Sequence, residues 1–358
     1  MTTPMKRRVT IIAPGQETLG GQGIQAQALG AALAGEGHAV THLPVNPRFP
    51  RGMRWVRRVP VGRTLLNETL YLRRLLAQSI ADVTFVFSAS YWSFLLAPVP
   101  AMMAARATGS RVVLVYHSGE ADDHLSRWGR LVHPWLRMAD SIVVPSEFLQ
   151  EVFARHGYRT RVIRNVVDTS RFRFLDRPVV RPHILSTRNL EPHYRVDDTI
   201  RAYAILKESH RDARLTVAGC GREEPRLRRL AGSLRADGIR FIGRVEPRDM
   251  PSLCDDAGIF ANASDVDNQP VSILEAFAAG LPVVTTPTGG IAAMVRENET
   301  GLVVPRRSPV RMAAAMTSLI QSPGHARRMA ARARREVDAY TWPSVRDAWH
   351  SLISGDPA

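Results

Sequence analysis

Residues 262–301 read NASDVDNQPVSILEAFAAGLPVVTTPTGGIAAMVRENETG, and this stretch decides the fold. A polar loop holding Asp265, Asp267 and Asn268 runs through Pro270 into an apolar helix that carries one acid, Glu275, and stops at Gly280. Proline suits the first helical turn, where a backbone N–H has no partner to lose, and glycine suits the exit, where the chain turns left-handed. The β-branched run Val283–Thr286 follows, then Gly289-Gly290 and a second short helix. Loop, helix, strand, loop and helix in that order is α/β architecture. Glu275 falls in the first two turns of its helix, where its charge complements the dipole and free N–H groups hold phosphate. One turn of chain thus offers an anion site and a hydroxyl acceptor.

Working outward, 358 residues with 45% hydrophobic content are enough for two cores of about 150–200 residues each. The two cysteines, Cys220 and Cys254, are too few for a disulfide framework, which points to a reducing, cytoplasmic setting. No Cys/His cluster has zinc spacing, so no metal is expected. The start, MTTPMKRRVTIIAPG, is basic, but only Val9–Ala13 are apolar before Pro14, which reads as a first strand and not a signal peptide. No stretch reaches the roughly 18 apolar residues of a membrane span. A net charge of +15 and a pI near 11 favour phosphates, acidic polymers or anionic lipid without choosing among them.

In the N-terminal half, the strand Arg7–Ala13 leads into the glycine loop Gly15–Gly23, a helix Ile24–Ala34 and a second strand Ala39–Leu43. The loop contains G-x-G-x-x-A from Gly21, but no acid closes the second strand, which argues against a nicotinamide dinucleotide. Residues 48–63, RFPRGMRWVRRVPVGR, hold six arginines and no acid among aromatic and aliphatic side chains. That pairing suits an anionic membrane surface or a lipid-linked acceptor; a solvated loop is the plainer reading, and single-stranded nucleic acid the least favoured. Helices are predicted over Thr64–Ser79 and Pro98–Ala107 and strands over Val83–Phe87, Arg111–Tyr116 and Ser141–Val144. The strand RVVLVY runs straight into His117, and open α/β sheets place ligands at such strand ends. Ser146 is the expected cap of a helix reaching His156.

A proline-containing linker, Asp176–Pro182, separates domain 1–176 from domain 177–341, with the last helix, 342–358, returning to the first. The second domain is predicted as the strand His183–Thr187, a helix Asp197–Glu208, the strand Arg214–Ala218 reaching Gly219, a basic helix Glu223–Ala236, strands Arg240–Gly243 and Ile259–Ala261, and then the central stretch. The strand Gly301–Val304 and helices Val310–Ile320, His325–Tyr340 and Trp342–Ile353 complete it.

Asp267-x7-Glu275, Ala276, Gly280-Leu281-Pro282-Val283-Val284 and Gly289-Gly290 resemble the acid-x7-Glu signature of the family 4 retaining glycosyltransferases, the glycosyl transferases group 1. VPSEFLQEVF and RNVVDTSRF extend the resemblance to the N-terminal half. It implies the GT-B fold: two Rossmann-like domains whose parallel sheets face across a cleft. It also implies a metal-independent transfer of a sugar from a nucleoside diphosphate sugar, UDP-sugar first, to a hydroxyl of a glycan or lipid-linked acceptor, with no separate cofactor. In that pattern Glu275 takes the ribose hydroxyls and Asp267, one methylene shorter than the Glu common there, lies by the transferred sugar. Arg188 holds the diphosphate, with Arg195 as the second cation where Lys is commoner. His117 stands near the sugar and acceptor, Gly20 and Gly21 face the cleft, Gly219 allows close packing on the donor, and Val245 lies by the base. Polysaccharide or glycolipid assembly, in the cytoplasm or at the inner face of a membrane, is the implied setting. A phosphorylase or nucleotide-sugar epimerase of the same fold and a non-catalytic polyanion-binding protein are the competing readings.

Overall fold

The computed structural model describes residues 6–15, 20–78, 80–88 and 90–355. Residues 16–19 of the predicted glycine loop and Ser79 of a predicted helix lie outside the described residues. The chain forms two units, one running to Val166 and resuming at Val345, the other spanning Val167–Ser344.

The first unit alternates β1 (Arg8–Ala13), α1 (Gly21–Gly35), β2 (Ala39–Pro44), α2 (Pro60–Leu76), β3 (Val83–Ser88), α3 (Trp92–Leu96), α4 (Pro98–Ala107), β4 (Arg111–Tyr116), α5 (Ala121–Arg127), α6 (Gly129–Leu136), β5 (Ser141–Val144), α7 (Glu147–Arg155) and β6 (Arg161–Val162). Its strands pair in parallel in the order β2-β1-β3-β4-β5-β6. Strand β3 is buried at every position, as expected of a parallel strand covered on both faces. Ser146 caps α7, its Oγ accepting from the N–H of Leu149 at 3.3 Å. Helix α1 starts at Gly21, three residues before the predicted Ile24, and residues 51–58 form a 3₁₀ helix where an irregular loop was expected. The short helices α3, α5 and α6 escape the sequence reading because none is long enough to show a period.

The second unit continues with β7 (His183–Thr187), α8 (Val196–Ser209), β8 (Arg214–Ala218), α9 (Glu224–Ser233), β9 (Ile239–Gly243), α10 (Met250–Asp256), β10 (Ile259–Asn262), α11 (Val271–Ala278), β11 (Val283–Thr285), α12 (Ile291–Met294), β12 (Leu302–Val303), α13 (Pro309–Gln321) and α14 (Pro323–Glu336), followed by α15 (Trp342–Ser354). Its sheet is again wholly parallel, ordered β12-β11-β10-β7-β8-β9. Alternate residues leave its two faces: Ile184, Leu215 and Ile259 enter the core under α8 and α13, whereas Leu185, Phe260 and Val283 enter the core under α11.

The predicted linker, Asp176–Pro182, and residues 167–175 before it are fixed to this second unit. Val167 and Phe172 are buried in the α11 core. Arg177, also buried, donates from Nε and both terminal nitrogens to the carbonyls of Ala257, Leu175, Ala279, Gly280 and Cys254. Those carbonyls include the orphan acceptors at the C-terminal ends of α10 and α11, which a buried cation satisfies. The division at Val166/Val167, ten residues before the prolines suggest, follows from this packing.

Candidate active site

Arg188 leaves the C-terminal end of β7, where its N–H donates to the Ala218 carbonyl of β8 at 3.1 Å. The adjoining Gly219 has φ +144°, and a Cβ there would stand 2.0 Å from the Arg188 carbonyl oxygen. Only glycine lets the two strand ends approach so closely, and the approach aims the arginine. Its guanidinium ion-pairs with Asp267, donates to Ser272 Oγ at 3.2 Å, and lies 4.1 Å from the ring centroid of Tyr194. Both members of the ion pair are nearly enclosed, at 10% and 11% side-chain exposure. Arg188 Nε is buried and has no hydrogen-bond partner among the described residues.

Ser272 joins this cluster to α11, whose N-terminus has no capping side chain and no acid in its first turn. Along Val271–Ala278 every position is buried except Ser272 and Glu275. Residues three apart are neighbours on a helix surface, so the arginine stands at the first turn of α11, on Ser272, and Glu275 lies one turn beyond on the same helix face. No donor among the described residues pairs with the Glu275 carboxylate. Burial pushes its carboxyl up to about 7, offset in part by the positive charge of Arg171. A desolvated carboxylate with unused acceptor capacity suits a pair of hydroxyls.

The loop before α11 is held from beneath. Ser264 Oγ donates to Asn262 Oδ1 at 2.7 Å, Asn262 Nδ2 donates to Thr285 Oγ1 at 3.1 Å, and the hydroxyls of Thr286 and Thr288 both donate to the Ser264 carbonyl at 2.6 Å. Asp265 N–H donates to the His193 carbonyl at 2.8 Å, tying this loop to the turn after β7. These buried, mutually satisfied groups keep Asp267 where Arg188 meets it.

Arg195 lies in a second, acidic cluster. It adopts a left-handed backbone at φ 49° ahead of α8 and donates to both oxygens of Asp198 at 3.0 and 3.1 Å, with Asp197 at 3.4 Å and Asp265 at 3.9 Å. Asp265 is also paired with Arg307 at 2.8 Å, and Arg306 donates to its carbonyl at 3.3 Å. Arg188 and Arg195 are therefore engaged differently: one by a single carboxylate, a hydroxyl and a ring, the other by three carboxylates. Val245 is half-buried in the loop after β9, between Arg244 and Glu246, whose side chains pair at 3.7 Å.

The remaining predicted residues belong to the first unit. A Cβ on Gly20 or Gly21 would meet nothing within 4 Å, so packing within the unit does not require glycine at either position. His117 follows β4 and stacks on Phe87 with ring centroids 5.5 Å apart. Its Nε2 lies 2.9 Å from Asn165 Oδ1, and the Val115 carbonyl also faces the ring. Burial pulls its pKa down to about 4, which keeps the imidazole neutral near pH 7. His124 of the following helix is fully buried instead, its Nδ1 2.9 Å from the Tyr116 hydroxyl.

Sequence reasoning did not find Ser272, Asn165 or Arg171. Ser272 carries a signal, being three residues before Glu275 on a helix; Asn165 meets His117 and Arg171 acts on Glu275, each within its own unit, only through tertiary packing. Tyr194, beside Arg195 in sequence, forms the surface beneath Arg188. Among the described residues no group of three or more His, Cys, Asp or Glu side chains is placed to hold a metal ion.

Comparison with known proteins bears on the same two halves. The family model for glycosyl transferases group 1 matches residues 169–336, and that for glycosyltransferase family 4 matches residues 19–171. Glycogen synthase of Mycobacterium tuberculosis is 32% identical over 243 residues, 65% of this chain and 58% of its own length. A GDP-mannose-dependent monoacylated alpha-(1-6)-phosphatidylinositol monomannoside mannosyltransferase of Corynebacterium glutamicum is 30% identical over 184 residues, 49% of this chain and 48% of its own. The chain thus spans about half the length of these curated relatives. Among solved structures, Anabaena Alr3699/HepE in complex with UDP-glucose superposes with a TM-score of 0.74 at 16% identity, covering 98% of this chain and all of that one. Sucrose-phosphate synthase from Thermosynechococcus elongatus gives 0.75 at 18% identity, covering 98% of this chain and 100% of its own. Such likeness shows the GT-B fold alone. With both halves matched by their family models and the acid-x7-Glu helix standing against Arg188, the chain belongs to the family 4 glycosyltransferases of group 1, with the GT-B fold.

Proposed function

We propose that the protein transfers a sugar from a nucleoside diphosphate sugar to an acceptor hydroxyl, with retention of anomeric configuration. One observation carries this reading. The Arg188 guanidinium meets the uncapped first turn of α11 through Ser272, one turn from the unpaired carboxylate of Glu275. A diphosphate on the arginine and helix N-terminus would bring a ribose within the span of Glu275. In this reading Arg188 and the helix dipole stabilise the leaving diphosphate as the bond from the anomeric carbon to the phosphate oxygen breaks. The acceptor oxygen bonds to that carbon from the same face, and its proton passes to the departing phosphate. These charges do the work assigned elsewhere to a metal, and we read the reaction as metal-independent. Asp267 neutralises Arg188 before the donor arrives, and the diphosphate must compete with it for the guanidinium. His117, neutral near pH 7, is assigned to a hydroxyl of the sugar or acceptor.

The HepE complexes with UDP-glucose and UDP support a UDP donor, and the GDP-mannose-dependent relatives support a guanine alternative. Melting temperatures measured with UDP-, GDP- and ADP-sugars choose between them, because a ligand of the folded state raises the melting temperature with its affinity. Glu275→Ala should lose that shift and lower kcat/KM by about 100-fold or more, the size of two charge-assisted hydrogen bonds. A product of inverted configuration, or nucleotide release that does not depend on acceptor, would overturn the reading. The acceptor is a glycan or lipid-linked hydroxyl compound in this proposal, and the lipid case has support of its own, given next.

A further inference from the structure

The outer face of α2 is left uncovered by the described residues of its unit. Val61, Leu65, Leu72 and Leu76 are 71%, 65%, 43% and 86% exposed. Successive residues turn by about 100°, so these four side chains fall within about 60° of one another and form one stripe. Tyr71 and Leu75 of the same helix are buried in the core of the unit, so the stripe is a second apolar surface and not the anchoring one. The 3₁₀ segment just before α2 adds Met53 and Trp55, and Val59 follows it, each also more than two-fifths exposed. Contiguous apolar surface of this kind on a water-facing helix marks contact with something less polar than water.

Charge chooses the occupant. Arg63, Arg73 and Arg74 of α2 are exposed, and residues 48–63 carry six arginines and no acid. The acid of α2, Glu68, is half-buried, Asn67 Nδ2 donates to it at 3.4 Å, and burial raises its carboxyl above the usual range. Arg48 and Arg74 line an open cavity of about 740 Å³ together with Ala26, Ala31 and Leu43. An apolar ridge, an aromatic ring and the exposed Arg63, Arg73 and Arg74, with no exposed acid among the described residues of 53–76, complement anionic headgroups above acyl chains. A second copy of this chain would set arginine against arginine, which opposes self-association through this face.

We infer that the face formed by residues 53–76 docks the protein onto an anionic lipid bilayer. The inference is independent of the donor reading.

The full chain is to be sedimented with vesicles of phosphatidylcholine alone and with about 30% phosphatidylglycerol added, at low and at high salt. Binding is expected to the anionic vesicles only, weakened by salt. Leu65→Asp with Leu72→Asp should lower the partition about tenfold or more while leaving the melting temperature and its rise with nucleotide sugar in place. Equal binding by this variant, or no binding of the parent protein to anionic vesicles, overturns the inference. So does a concentration-dependent dimer in light scattering that the double variant dissociates, since the face would then belong to a second copy.

Discussion

Glu275 shows how far one side chain reconciles opposing demands. Its carboxyl is raised from 4.5 to about 7 by burial, so the fold holds a charge there at the expense of stability. The sign follows from linkage: a carboxyl raised in the folded state is cost-free below its unfolded pKa and costs most above the folded one. Glu275→Gln should therefore raise the melting temperature at pH 8, by about 5 °C for a cost near 2 kcal/mol after allowing for partial exposure, and leave it unchanged below pH 4.5. The same variant should bind nucleotide sugar poorly, a stability gain at the expense of function that a melting curve with and without ligand reads directly. Arg188 behaves in the opposite way. Arg188→Ala strands Asp267 without its cation in a nearly closed site, and a loss of about 3 kcal/mol in urea unfolding is expected, while Asp267→Ala with Arg188→Ala together should cost less than the sum.

At the level of elements, the strand ends matter more than the strands. Gly219→Ala would press a methyl onto the Arg188 carbonyl from a φ of +144°. A loss of about 3 kcal/mol is expected, read as a lower melting temperature and a lost nucleotide-sugar shift together. Gly21→Ala opens α1 with a better helix former and no steric conflict, so stability should hold or rise by about 0.5 kcal/mol. If transfer falls all the same, Gly21 serves a ligand and not the fold. Arg177→Met tests the fixed linker: five carbonyls lose their donor, and a loss of about 4 kcal/mol is expected in urea unfolding. Pro270 and Gly280 mark the limits of α11 in the sequence because their backbone chemistry is local. No such signal accompanies Arg177, whose partners lie as far as residue 280 and are reached only by packing.

Across the molecule, histidines tie stability to pH. His117 and His124, both pulled from 6.5 to about 4 by burial, stay neutral in the folded protein while the unfolded chain takes up protons below 6.5. Stability should fall as pH drops from 6.5 toward 4, by about 2 kcal/mol for each histidine, and urea midpoints at pH 7 and pH 4.5 that coincide would contradict it. The sequence by itself determined two α/β halves, the strand positions and the helix limits around Glu275, because hydrophobic period, proline and glycine act within a few residues of where they stand, and the acid-x7-Glu resemblance implied the parallel sheets and the family. Only the tertiary structure decided that Tyr194 underlies Arg188, that three carboxylates hold Arg195, that the linker is part of the second unit and that α2 keeps a bare apolar stripe. Some of those contacts, such as Arg195 with Asp265 and Arg177 with Gly280, join residues tens of positions apart, others join near neighbours that the fold turns together, and the energies of all depend on burial, which no single stretch of sequence specifies.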